Sequence, residues 1–232
     1  LVGVLDAFMD SKGLITDSEW REFCNDAVVM ARFDSYVLEA DSSFKAHAEL
    51  CNYRPELKGG KLICTLALGS GEVIGKVEKD FVAEGNYTDI CDAEFTFPQV
   101  EKNTKAVLSL EIEGTDIHNH YDLWVIPAVE KADISGAYIF DEVNDEAESL
   151  LKQGKTVLIL PDLSKLENSI EGFYCQDFWC YHMFCIISQM MKKPDPVGTM
   201  GLLIDTDHPA LAGFAGEKYS TPQWWAVSYT HL

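Results

Sequence analysis

Side chains able to do chemistry are plentiful in this sequence, yet few stand at the spacing that a working set demands. Asp141, Asp162 and Asp205 each close an apolar run that reads as a strand. Ligands of open α/β sheets sit beyond the carboxyl ends of the strands, so these carboxylates could converge there, although solvated loops explain each of them as well. His118 and His120 flank Asn119, and strand alternation puts both imidazoles on one face, as a two-ligand metal site would want. No third ligand is identifiable beside them, and a polar hairpin tip is the plainer reading. His182 lies among Phe178, Trp179, Tyr181 and Phe184 and reads as a hydrogen-bonded core residue, while His208 precedes Pro209 and shapes a turn.

The seven cysteines (Cys24, Cys51, Cys64, Cys91, Cys175, Cys180 and Cys185) are odd in number and unevenly spaced, which suits packed thiols rather than a disulfide framework. Four residues separate Cys175 from Cys180, and Cys180 from Cys185, which is neither a C-x-x-C metal or redox spacing nor a helical i, i+4 pair. No metal set is therefore read from the sequence. An acyl-transfer nucleophile on an α/β scaffold needs a strained elbow such as G-x-C-x-G or G-x-S-x-G, and none is present, so an independent hydrolase lacks its nucleophile. Aromatic residues crowd the last quarter of the chain. If exposed, Trp179, Trp224 and Trp225 would make a platform for the apolar face of a sugar; core packing is the alternative use of such rings.

The elements that would position these groups change character along the chain. The apolar run from Leu1 to Ile15 is followed by Thr16-x-x-Glu19, a capping box. The spacing predicts a helix there, with Trp20, Phe23, Cys24 and Ala27 on one apolar face that must pack on something, expected to be an upstream part of a longer protein. From about Ser35 to Pro127 the period is two: Phe44, Ala46, Ala48 and Leu50 alternate with polar neighbours, as do Leu108, Leu110 and Ile112. Further strands are expected at Lys61–Leu68, Glu72–Phe81, Cys91–Phe97 and Tyr121–Ile126, and such a run suggests an immunoglobulin-like sandwich. After Pro127 a strand at Ala137–Phe140, a helix ended by Gly154 and a strand at Thr156–Leu160 predict a β-α-β unit. A helix over Phe178–Met191 and an apolar strand at Gly201–Ile204 complete an expected open α/β domain with a parallel sheet.

Composition bounds the rest. In 232 residues, 47% are hydrophobic, enough for a core, so the chain is not a disordered one. With 18 Lys and Arg against 38 Asp and Glu, the net charge is -20 and no basic run occurs. Phosphate contacts need Lys and Arg, so nucleic acid is excluded as the expected partner. No stretch approaches the roughly 18 apolar residues of a membrane span, and no basic n-region opens the chain. The chain opens on Leu in mid-pattern and is expected to be an internal piece. Val227–Leu232 (VSYTHL) resembles the translation of a sequencing adapter and is set aside as an expected artefact.

Three stretches together carry a family resemblance: LVGVLDAFMDSKGLITDSEWREFC at Leu1–Cys24, NYRPELKGG at Asn52–Gly60, and VGTMGLLIDTDHPALAGF with STPQWW at Val197–Phe214 and Ser220–Trp225. They resemble the C-terminal half of bacterial glycoside hydrolase family two enzymes of the β-galactosidase and β-glucuronidase type. The resemblance implies a multidomain fold. Residues 1–33 would be the last loop and helix of a catalytic (β/α)8 barrel, 34–128 an all-β immunoglobulin-like sandwich, and 129–226 an incomplete α/β open-sheet accessory domain, with 227–232 the artefact. It implies a retaining exo-β-glycosidase for terminal β-galactosyl or related residues, whose acid and nucleophile glutamates lie upstream of Leu1. No Glu of this chain matches those motifs, so no catalytic residue is assigned and the fragment is expected to be inactive. The loop at Leu5–Lys12 would lie at the barrel's catalytic face, making Asp6, Phe8, Asp10 and Lys12 the substrate-binding candidates, although relatives often carry Trp where this chain has Met9. No cofactor is implied, and the partners are a carbohydrate reached through the barrel and upstream domains of the same chain. The family suggests export to a bacterial periplasm. A non-catalytic carbohydrate-binding or interdomain scaffold module is the alternative function.

Overall fold

The structure, a computed structural model, describes residues 3–128, 134–162, 173–174, 186, 189–192, 198–199, 203–214, 216–219 and 221–224. The chain divides into two compact units, Leu1–Ala128 with Ile204–Ala226, and Val129–Leu203 with Val227–Leu232.

The first unit begins with the helix α1 (Asp17–Phe23), and its predicted capping box is formed in full. The Thr16 hydroxyl accepts from the Glu19 N–H at 3.2 Å, and the Glu19 carboxylate accepts from the Thr16 N–H at 2.7 Å. The Thr16 hydroxyl also donates to that carboxylate at 2.7 Å, and this bond, followed by the one from the Thr16 N–H, holds the Glu19 carboxyl below its usual range. The helix stops at Cys24, and Ala27, expected on its apolar face, instead opens a strand. Asn25-Asp26 interrupts the helical ladder, and the Val28-Val29 pair that follows is β-branched and favours extended backbone.

Eight strands follow: β1 (Ala27–Arg32), β2 (Val37–Glu39), β3 (Ser43–Asn52), β4 (Gly59–Leu68), β5 (Val73–Val82), β6 (Tyr87–Thr96), β7 (Thr104–Ile112) and β8 (His118–Ile126). They form a three-stranded sheet in the order β1-β3-β6 and a five-stranded sheet in the order β2-β8-β7-β4-β5. β2 lies parallel to β8, whereas β1 pairs antiparallel with β3, so the chain changes sheets between residues 32 and 37. The two sheets together make a β-sandwich, with their core between them. It begins at Ala27, earlier than the boundary expected at residue 34, because β1 is a full sandwich strand. Alternate residues of the facing strands fill the core: Phe44, Ala46, Ala48 and Leu50 from β3, Leu62, Cys64 and Leu66 from β4, and Leu108, Leu110 and Ile112 from β7. The outer edge of β1 is closed by side chains of β8. The Ala31 N–H donates to the Tyr121 hydroxyl at 3.1 Å, and the Asn119 amide donates to the Val29 carbonyl at 2.9 Å.

Residues 204–226, expected in the α/β domain, group with the sandwich. The Lys105 ammonium lies 2.7 Å from Asp122 and 2.8 Å from Glu217, tying this segment to the outer face of the five-stranded sheet, where Trp124 is also buried. Within it the Ile204 N–H donates to the Lys218 carbonyl at 2.8 Å, and Pro209–Leu211 forms a short 3-10 helix. His208 sits in the turn before it, as its sequence position predicts, and its N–H donates to the Asp205 carbonyl.

The second unit contains the predicted β-α-β element: β9 (Ala137–Phe140), α2 (Asp145–Lys152) and β10 (Thr156–Ile159), with β9 and β10 parallel in the register Phe140–Ile159. Asn144 caps α2 by accepting from the Ala147 N–H. β11 (Phe173–Tyr174) pairs in parallel with β12 (Gly198–Thr199). Most of the helix expected at Phe178–Met191, the three cysteines near it, and the expected start of the Gly201–Ile204 strand lie outside the described residues. Among the described residues no helix is long and apolar enough to cross a membrane.

Candidate functional site

The four substrate-binding candidates lie in a loop that orders itself. Leu5 and Ser11 form an antiparallel bridge, and the Asp6 N–H donates to the Asp10 carbonyl at 2.9 Å. Asp6 then turns its own carboxylate onto the loop. Its Oδ1 accepts from the Phe8 N–H at 2.8 Å and from the Asp10 N–H at 3.0 Å, which is how a short acidic side chain holds a tight turn. Met9 at the tip has a φ of 68°, a left-handed conformation that these bonds offset. Lys12 reaches back to the Gly3 carbonyl at 2.8 Å. Asp6 and Lys12 thus hold the loop, and Phe8 and Asp10 are presented, with Phe8 84% exposed. Behind the loop a cleft of about 270 Å³ is lined by Val4, Leu5, Ser11, Ile15, Asp17 and Trp20.

The histidine pair is brought together as alternation predicts, and the structure supplies a third group that spacing could not show. Glu22, on the last turn of α1, lies 2.7 Å from His120 Nδ1 and 3.6 Å from His118 Nε2. Ser18 Oγ is 3.3 Å from the same His118 nitrogen. One turn of helix separates Ser18 from Glu22, so both face β8 and the cluster pins α1 to the sheet. A groove of about 450 Å³ beside it is lined by Glu22, Ser109, Glu111, Thr115, His118 and His120.

The remaining candidates are distributed over both units. Asp141 and Asp162 both follow strands of the parallel pair, whereas Asp205 belongs to the sandwich unit. Trp224 is half-buried, with its ring centroid 5.0 Å from that of Phe214, so it packs rather than presenting an open platform; Trp179 and Trp225 lie outside the described residues.

Comparison with known proteins adds the following. Residues 42–127 match a domain of unknown function, DUF8488, and residues 138–231 match another, DUF8487, a match that runs through most of the segment expected to be an artefact. No curated protein matches the chain. Solved structures that match part of this chain include the CARDB domain of a Pyrococcus furiosus protein in complex with di-metal ions, at 11% identity and a TM-score of 0.31, covering 44% of this chain and 88% of that one. A calcium-binding mutant of Bacteroides uniformis β-glucuronidase 2 is 13% identical with a TM-score of 0.29, covering 44% of this chain and 13% of the enzyme. A β-glucuronidase from glycoside hydrolase family 2 is 16% identical with a TM-score of 0.28, covering 49% of this chain and 12% of the enzyme. This chain therefore spans only a small part of the length of the two glucuronidases.

Proposed function

We propose that this chain is the C-terminal part of a retaining exo-β-glycosidase of the family two type, and that it supplies none of the catalytic glutamates. The observation that carries the reading is the loop and helix ahead of the sandwich. A loop held by Asp6 presents Phe8 and Asp10, and the capped helix after it leaves Trp20 39% and Phe23 59% exposed. In this reading residues 1–24, whose sequence resembles the end of the family's barrel, are the last barrel loop and helix, and the exposed rings are the surface that the barrel covers. Loops after barrel strands build the site, so Phe8 lies against the sugar and Asp10 hydrogen-bonds its hydroxyls, with Asp6 and Lys12 acting through the loop. Chemistry then falls to two glutamates elsewhere in the protein. One protonates the leaving oxygen, and the other forms and releases a glycosyl-enzyme intermediate.

Hydrolysis of a panel of aryl β-glycosides by this chain and by the full-length gene product tests the reading. Activity confined to the full-length product is expected. There, Phe8→Ala should lower kcat/KM about tenfold, roughly 1.4 kcal/mol, mainly through KM. Hydrolysis by this chain alone would overturn the absence of catalytic carboxylates, and an inactive full-length product would overturn the glycosidase reading itself.

A further inference from the structure

The outer face of the three-stranded sheet carries a cluster with no part in that reading. Alternation along β3 puts His47 and Glu49 on this face, opposite the core residues Ala46, Ala48 and Leu50. Asp89 and Asp92 of β6 are three residues apart and would ordinarily face opposite ways. A bulge takes up Ile90, so that Asp89 pairs with Glu49 and Asp92 with His47, and both carboxylates turn outward. Bulges that re-aim a side chain in this way are frequent beside functional sites. The His47 ring is then held between them, with Nε2 2.8 Å from Asp89 Oδ1 and Nδ1 2.8 Å from Asp92 Oδ1. Lys45 fixes the second oxygen of Asp92 at 2.6 Å.

Glu49 is the unusual member. Its side chain is only 8% exposed, although it stands on the outer face of a sheet. Its Oε2 accepts from the Tyr87 hydroxyl and lies 2.8 Å from an Arg32 nitrogen. That guanidinium is also 3.8 Å from Asp89, but its side chain is 65% exposed, and an exposed partner compensates a buried carboxylate weakly.

We propose that His47, Glu49 and Asp89 bind a divalent transition-metal ion, Zn²⁺ by their ligand chemistry, with Asp92 as the carboxylate that orients the His47 ring. One ligand atom from each of the three lies within 4.8 Å of the others. Tetrahedral Zn²⁺ spaces its ligands about 3.4 Å apart, so the widest pair closes by about 1.4 Å at most, a rotamer-scale movement. One imidazole with two carboxylates suits Zn²⁺ rather than the all-oxygen preference of Ca²⁺ or Mg²⁺. The hydrogen bond from Nδ1 to Asp92 is the outer-shell contact that metal-bound histidines generally make. Arg32 is the competitor: it neutralises Glu49 and Asp89 without the ion and swings to solvent when the ion enters.

Titration of the full chain with Zn²⁺, and with Co²⁺ followed by its visible absorption, tests the site. One ion per chain is expected, with a cobalt spectrum lacking a thiolate charge-transfer band, which separates this site from one built on the chain's seven cysteines. His47→Gln, Asp89→Asn and Asp92→Asn should each weaken binding by about tenfold or more. Arg32→Gln removes no ligand and should tighten it, so the test survives a ligand variant that folds poorly. Absence of saturable binding, a thiolate spectrum unchanged by His47→Gln, or affinity unmoved by both His47→Gln and Arg32→Gln would overturn the proposal.

Discussion

At the scale of single residues, environment decides what a reactive group can do. Cys24 and Cys64 are both free thiols, but Cys24 is exposed and Cys64 is 1% exposed between the sheets, where burial pushes its thiol up to about 12. The thiolate is the nucleophile, and at pH 8 a thiol of that pKa is ionised to about one part in ten thousand. Iodoacetamide at pH 8 is therefore expected to modify Cys24 and to spare Cys64 until denaturant opens the sandwich, as read by mass spectrometry of the two peptides. Equal labelling rates in the folded protein would contradict the packing of β4. The same dependence on environment explains which site residues sequence reasoning found. Alternation alone put His118 and His120 on one face, but Glu22 comes from a helix with no fixed register to β8, and only the fold brings it to the rings. His47 and Asp92 were hidden for a stricter reason. Odd spacing from Asp89 to Asp92 reads as opposite faces, and nothing in the local sequence announces the bulge at Ile90.

Elements were legible where one physical pattern governs a whole segment. β3 to β8 follow from alternation of half-buried strands, α1 from its capping box, and β9-α2-β10 from the switch between periods. β1 escaped because its apolar residues continue the helical spacing of α1, and the break at Asn25-Asp26 is short. The 204–226 segment escaped because its place against the sandwich is set by tertiary contacts such as Lys105 to Glu217. The stretch Asn52–Gly60, one of those carrying the family resemblance, turns out to be a connector. Asn52 donates its amide to the Leu57 carbonyl at 3.0 Å and accepts from the Arg54 N–H at 2.9 Å, closing the turn from β3 to β4. Gly59 ends that turn with a φ of 155°, and a Cβ there would stand 2.4 Å from the Phe81 carbonyl oxygen, a backbone atom of the paired strand that cannot yield. Gly59→Ala is expected to destabilise the sandwich by about 1–3 kcal/mol, the usual cost of a strained backbone. Urea unfolding followed by tryptophan fluorescence reads this directly, and an unchanged midpoint would show that β4 and β5 can separate without penalty.

For the sandwich unit as a whole, Arg54 links three connections that are distant in sequence. Its guanidinium lies 2.6 Å from Asp26, between α1 and β1, and 2.6 Å from Asp116, in the turn from β7 to β8, while its backbone belongs to the turn from β3 to β4. The turns meet at one end of the sandwich, so the cluster holds the two sheets in register there. Hydrogen bonds from Arg54 hold both aspartates below the ordinary carboxylate range. The folded protein therefore keeps them charged at a pH where the unfolded chain has begun to bind protons. Their contribution is complete above the ordinary carboxylate pKa of about 4 and is lost as pH falls through the depressed folded values. A chain with a net charge of -20 also gains from losing self-repulsion as acid is added, which would mask the effect in a single pH profile. Comparing wild type with Arg54→Met cancels that background, since both share the other carboxylates. The variant should melt roughly 5 °C lower at pH 7, and the gap should narrow steadily below about pH 4. A gap that stays constant down to pH 2 would mean that Arg54 acts through the packing of its half-buried stem and not through its two carboxylates.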